Sequence, residues 1–88
     1  MVLPPSVRDR VVAEILAVSD AGLSPGQITD GTTLRGELGL KSLQAVTLVL
    51  NLEELYGISV EEESLAGMGT VGDVLRLVGD RLAARGPT

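Results

Sequence analysis

Hydrophobic residues recur at the spacing of an α-helix in three separate segments of the chain. In the first segment, the residues that share one helical face are Val7, Val11, Ile15 and Val18. Ser6 precedes this face and is a favoured N-cap residue, whereas Gly22 follows it and favours the end of a helix. The pattern therefore predicts a first helix over residues 7–21 that is capped by Ser6 and stopped by Gly22.

The second segment, residues 42–56, contains neither glycine nor proline and is the strongest helical segment of the chain. It carries two apolar stripes, formed by Leu43, Val46 and Leu50 and by Ala45, Val49, Leu52 and Tyr56. A helix that is apolar over most of its circumference is typical of the centre of a bundle. The pattern predicts a long second helix that begins near Ser42 and ends at Gly57.

The last amphipathic segment follows Thr70. Its apolar face is formed by Val71, Val74, Leu75, Val78 and Leu82. Thr70 and Asp73 have capping-box spacing, and Arg81 and Arg85 suit the C-terminal end of a helix. Residues 61–66, with acidic side chains in the first turn, are consistent with a short additional helix. The pattern predicts an all-α fold, a small antiparallel bundle of three main helices plus one short helix.

The connection between the first two helices is long and rich in Gly, Ser, Thr, Pro and Asp. Because a structureless connection of this length is unusual in a compact domain, we expect apolar residues to hold it against the bundle. These residues are Leu23, Ile28, Leu34 and Leu38. A short helical turn is predicted near residues 24–27 or 33–37. The chain is expected to form a single domain over residues 1–88, with its core at about 6–85.

Composition and charge exclude several classes of function. A net charge of −5 disfavours binding to nucleic acid, since the phosphate backbone is also negative. The chain has no cysteine, which excludes disulfides and thiolate metal sites, and no histidine, which excludes Ser-His-Asp and Cys-His catalytic sites. No apolar run reaches membrane-spanning length and no signal-peptide pattern is visible, so we expect a cytoplasmic protein without membrane contact.

Two short motifs have simple structural interpretations. Residues 67–72, GMGTVG, match G-x-G-x-x-G, but no strand pattern precedes them and the chain ends too soon for a dinucleotide fold. We therefore expect a turn and a helix cap there. The three glutamates at 61–63 point in different directions on a helix and do not resemble a metal loop. They predict a solvated acidic patch that is available for docking, with no metal.

Residues 38–43, LGLKSL, place Ser42 in an apolar frame at the start of the strongest helix. A plain N-cap serine is one explanation, but Lys41, the only lysine, precedes it where a helix start favours acceptors or acids. Together with LRGELGLKSLQAVTLVLNLEELYGISV and TVGDVLRLV, the motif resembles the acyl carrier protein family. That family carries leucine-glycine-x-aspartate-serine-leucine at the start of its second helix. The resemblance covers about residues 7–78, with helix lengths and order in agreement.

The resemblance implies that Ser42 receives a 4′-phosphopantetheine arm from coenzyme A through a separate, Mg²⁺-dependent phosphopantetheinyl transferase. The arm's thiol then holds acyl groups as thioesters for acyl-transferring and condensing synthase enzymes. On this basis we expect a monomeric, non-catalytic carrier. Candidates for an acyl pocket are Ala45, Val49 and Leu52, and candidates for partner docking are Lys41, Leu43, Val46, Glu53 and Glu54.

Three positions depart from the family pattern. Lys41 replaces the aspartate before the serine, and Gln44 and Thr47 occupy two positions that are often acidic. These departures favour a dedicated carrier for polyketide or related specialised metabolism over a generic fatty-acid carrier. The alternative is an unmodified helical protein-interaction module that kept the fold and lost the arm.

Overall fold

The computed structural model describes residues 5–61, 63–64 and 67–84, and these residues contain three α-helices. Helix α1 spans Pro5–Val18, α2 spans Ser42–Tyr56 and α3 spans Val71–Ala84, with a 3₁₀ turn at Pro25–Gln27 between α1 and α2. Over these ranges the backbone forms no strand, and a lone antiparallel bridge joins Thr33 to Thr70. The predicted all-α class is confirmed.

A single aliphatic core joins the helices. Helix α1 contacts α2, α3 and the 3₁₀ turn. The largest fully buried side chains are Val11, Ile15, Leu38, Leu48, Leu52, Val71, Val74 and Val78. The apolar faces predicted for α1 and α3 are confirmed, since each contributes its central residues to this core.

The predicted bounds and caps of the first helix are wrong. Helix α1 begins at Pro5, which suits a first turn because proline has no N–H to leave unpaired, so Ser6 lies inside the helix and is not its cap. The helix ends at Val18, and the hydroxyl of the next residue, Ser19, binds backbone groups outside the helix. Its Oγ donates to the Leu38 carbonyl over 2.7 Å and accepts the Ala21 N–H over 3.2 Å. The chain has thus left the helix before Gly22.

The long connection is held against the bundle as predicted. Ile28, Leu34 and Leu38 are buried and Leu23 is half-buried, and a 3₁₀ turn forms at Pro25–Gln27. The backbone of the connection also bonds to the start of α3, which the hydrophobic pattern did not indicate. The N–H of Val71 donates to the Thr32 carbonyl over 2.9 Å, and that of Gly72 donates to Asp30 over 2.8 Å. A Cβ on Gly72 would lie 3.0 Å from the Asp30 carbonyl oxygen, so this close approach favours glycine.

The predicted capping box at the start of α3 is confirmed. The Thr70 N–H donates to Asp73 Oδ2 over 3.1 Å, and the Asp73 N–H donates to Thr70 Oγ1 over 3.2 Å. The Gly69 N–H donates to the same carboxylate over 2.9 Å. The glycine-rich motif is therefore a turn and a cap. Hydrogen bonds from the backbone N–H groups of Gly69 and then Thr70 lower the pKa of Asp73.

The region of the predicted short helix is described only in part. Glu63 and Ser64 are helical, whereas residues 62, 65 and 66, like Arg85, lie outside the described residues. Arg81 is bound to this region: its Nε donates to the Ser59 carbonyl over 3.0 Å and its terminal nitrogen donates to the Glu61 carboxylate. The pKa of Glu61 is lowered, first by its own backbone N–H and then by Arg81.

Candidate functional site

Ser42 is the first residue of α2 and its side chain is exposed. The N-cap is Lys41, whose backbone is extended at φ −90° and ψ 172°. The plain N-cap interpretation of Ser42 is therefore wrong, because the neighbouring lysine holds that place. Within the described part of the chain, no hydrogen bond occupies the Ser42 hydroxyl, which leaves it available for chemistry.

The backbone before Ser42 is fixed by two buried leucines on either side of an exposed glycine. Leu38 and Leu40 are 0% and 2% exposed, and Gly39 between them has a φ of +65°. The Leu38 N–H donates to the Thr33 carbonyl over 3.0 Å, and the Leu40 N–H donates to Leu34 over 2.8 Å. This local anchoring ends the long connection in a defined conformation just before the serine.

Gln44 connects the start of α2 to the end of α1. Its Oε1 accepts the Lys41 N–H over 2.9 Å, and its Nε2 donates to the Val18 carbonyl over 2.9 Å and to Asp20 Oδ2 over 3.3 Å. Sequence reasoning placed Gln44 only among positions that depart from the family pattern and missed these contacts. The available signal was the spacing, since a glutamine three residues after an N-cap commonly caps the N-cap N–H.

The outer side of α2 carries an exposed apolar stripe, defined here as Leu43, Val46 and Leu50. Their exposed fractions are 78%, 42% and 58%. Helix α2 is therefore not enclosed on this side, although its apolar pattern is typical of a helix at the centre of a bundle. The structure places Leu43 and Val46 beside Ser42 on the outer surface, where a partner can reach them.

The two predicted docking glutamates have different environments. Glu53 is half-buried, and its Oε2 accepts the Val60 N–H over 2.8 Å, so this carboxylate holds the segment that leaves α2. Glu54 is exposed and lines a shallow, open groove with Glu14, Asn51 and Leu55. Of the pair, Glu54 is the one more accessible to another molecule.

Comparisons with known proteins agree with this geometry. Residues 10–78 match the family described as "Phosphopantetheine attachment site". The acyl carrier protein of Saccharopolyspora erythraea is 41% identical over 75 residues, which cover 85% of this chain and 74% of that protein. The chain belongs to the acyl carrier protein family. The acyl carrier protein of Rhodococcus erythropolis is 30% identical over 90% of this chain and 88% of its own length.

Other members of the acyl carrier protein family extend the comparison. The meromycolate extension acyl carrier protein of Mycobacterium tuberculosis is 30% identical over 84% of this chain, and the match spans 66% of that relative's length. A crystal structure of the acyl carrier protein from Thermotoga maritima has a TM-score of 0.71 at 20% identity. The match covers 89% of this chain and 93% of that one, and it shows the shared fold.

The start of α2 fits the phosphate of phosphopantetheine, the group named in the description of the matched family. The Ala45 N–H donates to the Lys41 carbonyl over 2.9 Å and closes the first helical turn. The N–H groups of Ser42, Leu43 and Gln44 precede that bond, so they have no acceptor within the helix. Such N–H groups, together with the positive end of the helix dipole, favour a phosphate at this position.

The residues predicted to form an acyl pocket line the inner side of α2. Val49 and Leu52 are 4% and 2% exposed, and Ala45 is half-buried. They do not line the groove beside Glu54, whose lining comes from Glu14 of α1 and from Asn51, Glu54 and Leu55 of α2. None of the helices in the described ranges has the length and apolar character required to cross a membrane.

Proposed function

We propose that this member of the acyl carrier protein family carries acyl intermediates as thioesters on a 4′-phosphopantetheine arm attached to Ser42. The observation that carries the proposal is an exposed, unbonded serine hydroxyl at the first residue of α2, within the family's motif. The chain contributes no catalytic group of its own to this function. It presents the serine and later the acyl group to separate enzymes.

The attachment reaction needs one nucleophile from this chain. Ser42 Oγ attacks the phosphorus of coenzyme A that bears the pantetheine. The phosphorus–oxygen bond to the adenosine half breaks, and adenosine bisphosphate leaves. A base of the Mg²⁺-dependent phosphopantetheinyl transferase takes the hydroxyl proton, and a phosphodiester remains on Oγ. The bound arm supplies a thiol, which the cysteine-free chain lacks.

The docking surface is proposed to comprise the exposed apolar stripe and the charged residues at its ends. Lys41 lies at the serine end, and Glu53 and Glu54 lie near the other end of α2. Charge complementarity then favours partners with an apolar centre, an acidic group near Ser42 and a basic group near Glu54. Synthase enzymes of polyketide or related specialised metabolism are the proposed partners, because Lys41, Gln44 and Thr47 remove the acidic character near the serine.

The acyl chain is proposed to shelter beside Ala45, Val49 and Leu52. Leu52 belongs to the aliphatic core and Val49 is buried, so entry of a chain requires the helices to separate slightly. We expect the methyl resonances of Val49 and Leu52 to shift, relative to the protein with an unloaded arm, when the arm carries an octanoyl group. With an acetyl group they should match those of the unloaded form. NMR spectra of the two loaded forms measure this. Equal spectra in the two forms would place the longer chain outside the bundle.

Intact-mass measurement tests the proposed function. The purified protein, incubated with coenzyme A, Mg²⁺ and a permissive transferase, is expected to gain one phosphopantetheine. The alternative function, an unmodified helical interaction module, is favoured by Lys41 in place of the family's aspartate, and it predicts no gain with any of several transferases. A mass increase of one arm excludes that alternative.

A further inference from the structure

Both the oxygen and the nitrogen of the Gln44 side-chain amide form hydrogen bonds. Its oxygen accepts the Lys41 N–H, and its nitrogen donates to the Val18 carbonyl and the Asp20 carboxylate. The orientation of the amide is fixed by these partners, since a backbone N–H needs an acceptor and a carbonyl needs a donor. Gln44 therefore links two helix ends that are far apart in sequence.

Both backbone groups that Gln44 binds belong to helix ends. Val18 is the last residue of α1, so its carbonyl has no N–H partner within the helix. Lys41 is the N-cap of α2, immediately before Ser42. Ser19 adds another hydrogen bond between the end of α1 and the residues before Ser42, because its hydroxyl donates to the Leu38 carbonyl over 2.7 Å. The backbone on the N-terminal side of the serine is thus bound to the end of α1.

Only an amide satisfies this arrangement. A glutamate at position 44 could still accept the Lys41 N–H, but an ionised carboxylate has no hydrogen to donate to Val18. It would also place a second negative charge 3.3 Å or so from Asp20 Oδ2, where the Gln44 nitrogen now lies. An alanine would remove all three hydrogen bonds.

We infer that Gln44 is the positioning residue for Ser42. It holds the start of α2 on the end of α1, so that a transferase meets the serine in a single arrangement. This inference rests on the proposed function. When only a fraction of molecules is competent to bind, the apparent affinity falls to that fraction of its intrinsic value. Loss of Gln44 is therefore expected to raise KM and to leave kcat unchanged.

The test compares loading kinetics and hydrogen exchange in matched variants. Gln44→Ala removes the link, and Gln44→Glu keeps the acceptor but removes the donor. Gln27→Ala is the chemical control, since Gln27 Oε1 accepts the Ser24 N–H over 2.8 Å in an equivalent capping position away from the site. Val74→Ala is the stability control, because Val74 is fully buried in α3.

Gln44→Ala is expected to raise the KM for the unmodified protein about threefold to tenfold, with a similar acceleration of exchange at the Lys41 amide. Gln44→Glu should raise KM as well. Adding Asp20→Asn to Gln44→Glu should restore part of the loss, since the new amide can donate to the new carboxylate. Gln27→Ala should change neither quantity, and Val74→Ala should lower Tm without raising KM.

The inference is overturned if Gln44→Ala leaves both KM and Lys41 exchange at wild-type values. It is also overturned if Val74→Ala raises KM as much as Gln44→Ala does, because the effect would then follow stability alone. A wild-type protein that no transferase loads would contradict the proposed function instead. In that case the exchange rate of Lys41 still decides whether Gln44 holds the start of α2.

Discussion

Lys41 places a positive charge at the positive end of the α2 dipole, and no carboxylate in the described ranges forms an ion pair with it. A cation at this position costs about 0.3–1 kcal/mol, less at high salt. After Ser42 is modified, the neighbouring phosphodiester supplies a negative charge that the ammonium group can approach. We therefore expect Lys41→Asp to stabilise the apo protein, and the gain to shrink or reverse in the holo protein at low salt.

Chemical denaturation of both forms measures this difference. An equal gain in apo and holo protein would show that Lys41 has no role toward the phosphate. Faster loading of Lys41→Asp by a generic transferase would show that the lysine serves the choice of partner.

Leu43 and Leu52 lie on opposite sides of α2, and their exposed fractions are 78% and 2%. Leu43→Ala is expected to weaken acyl transfer to partner enzymes while leaving Tm nearly unchanged. Leu52→Ala should lower the free energy of unfolding by about 2–5 kcal/mol, because it opens a cavity in the core. Thermal unfolding and transfer assays on both variants check this. An unfolded Leu43→Ala beside a stable Leu52→Ala would reverse the assignment of the two faces.

At the residue scale, sequence predicted what depends on local context and missed what depends on distant contacts. The exposure of Leu43 follows from its place beside the motif serine on a helix whose opposite stripe packs inward. The role of Gln44 depends on a hydrogen bond to the Val18 carbonyl, 26 residues away. One oxygen of the Glu53 carboxylate likewise accepts the Val60 N–H. No periodicity in the sequence specifies either contact.

The start of α3 is capped by the Asp73 carboxylate, whose ionised form the cap favours. Backbone N–H groups lower the pKa of Asp73 from its ordinary value of 3.8, so the native state favours the charged form. Its contribution is complete well above 3.8 and is lost as the pH falls through the lowered native pKa. We expect Asp73→Asn to reduce stability at neutral pH, and the difference from wild type to shrink at more acidic pH.

Thr70→Ala is the matched control for this cap, since the threonine hydroxyl does not titrate in this range. It should cost about 0.5–2 kcal/mol, with a weaker dependence on pH than Asp73→Asn shows. Thermal unfolding of the three proteins from pH 7 to pH 2 separates the two behaviours. A constant difference between Asp73→Asn and wild type across this range would contradict an ionised cap.

At the element scale, helix ends were predictable where the cap is built from neighbouring residues. The start of α3 follows from Thr70 and Asp73, and the end of α2 follows from Gly57, which has a φ of +63°. The end of α1 was mispredicted because Ser19 bonds to Leu38 across the long connection. A tertiary contact thus ended that helix before the glycine that marks a local stop.

At the scale of the whole molecule, stability and recognition use separate surfaces. The aliphatic core is shared by all three helices and the long connection. Ser42, the exposed apolar stripe and Glu54 lie outside it, so substitutions there are expected to affect partners more than folding. The helical pattern was sufficient to predict the fold class, whereas the arrangement around Ser42 required the structure.

The central claim is that Ser42 alone carries the phosphopantetheine arm, and fragmentation mass spectrometry of the loaded protein tests it most directly. We expect the added mass on the peptide that contains Ser42, and no added mass in Ser42→Ala treated identically. Ser64→Ala is a matched control and should load like wild type. An arm found on Ser6, Ser19, Ser24, Ser59 or Ser64, or an arm that persists in Ser42→Ala, would contradict the account.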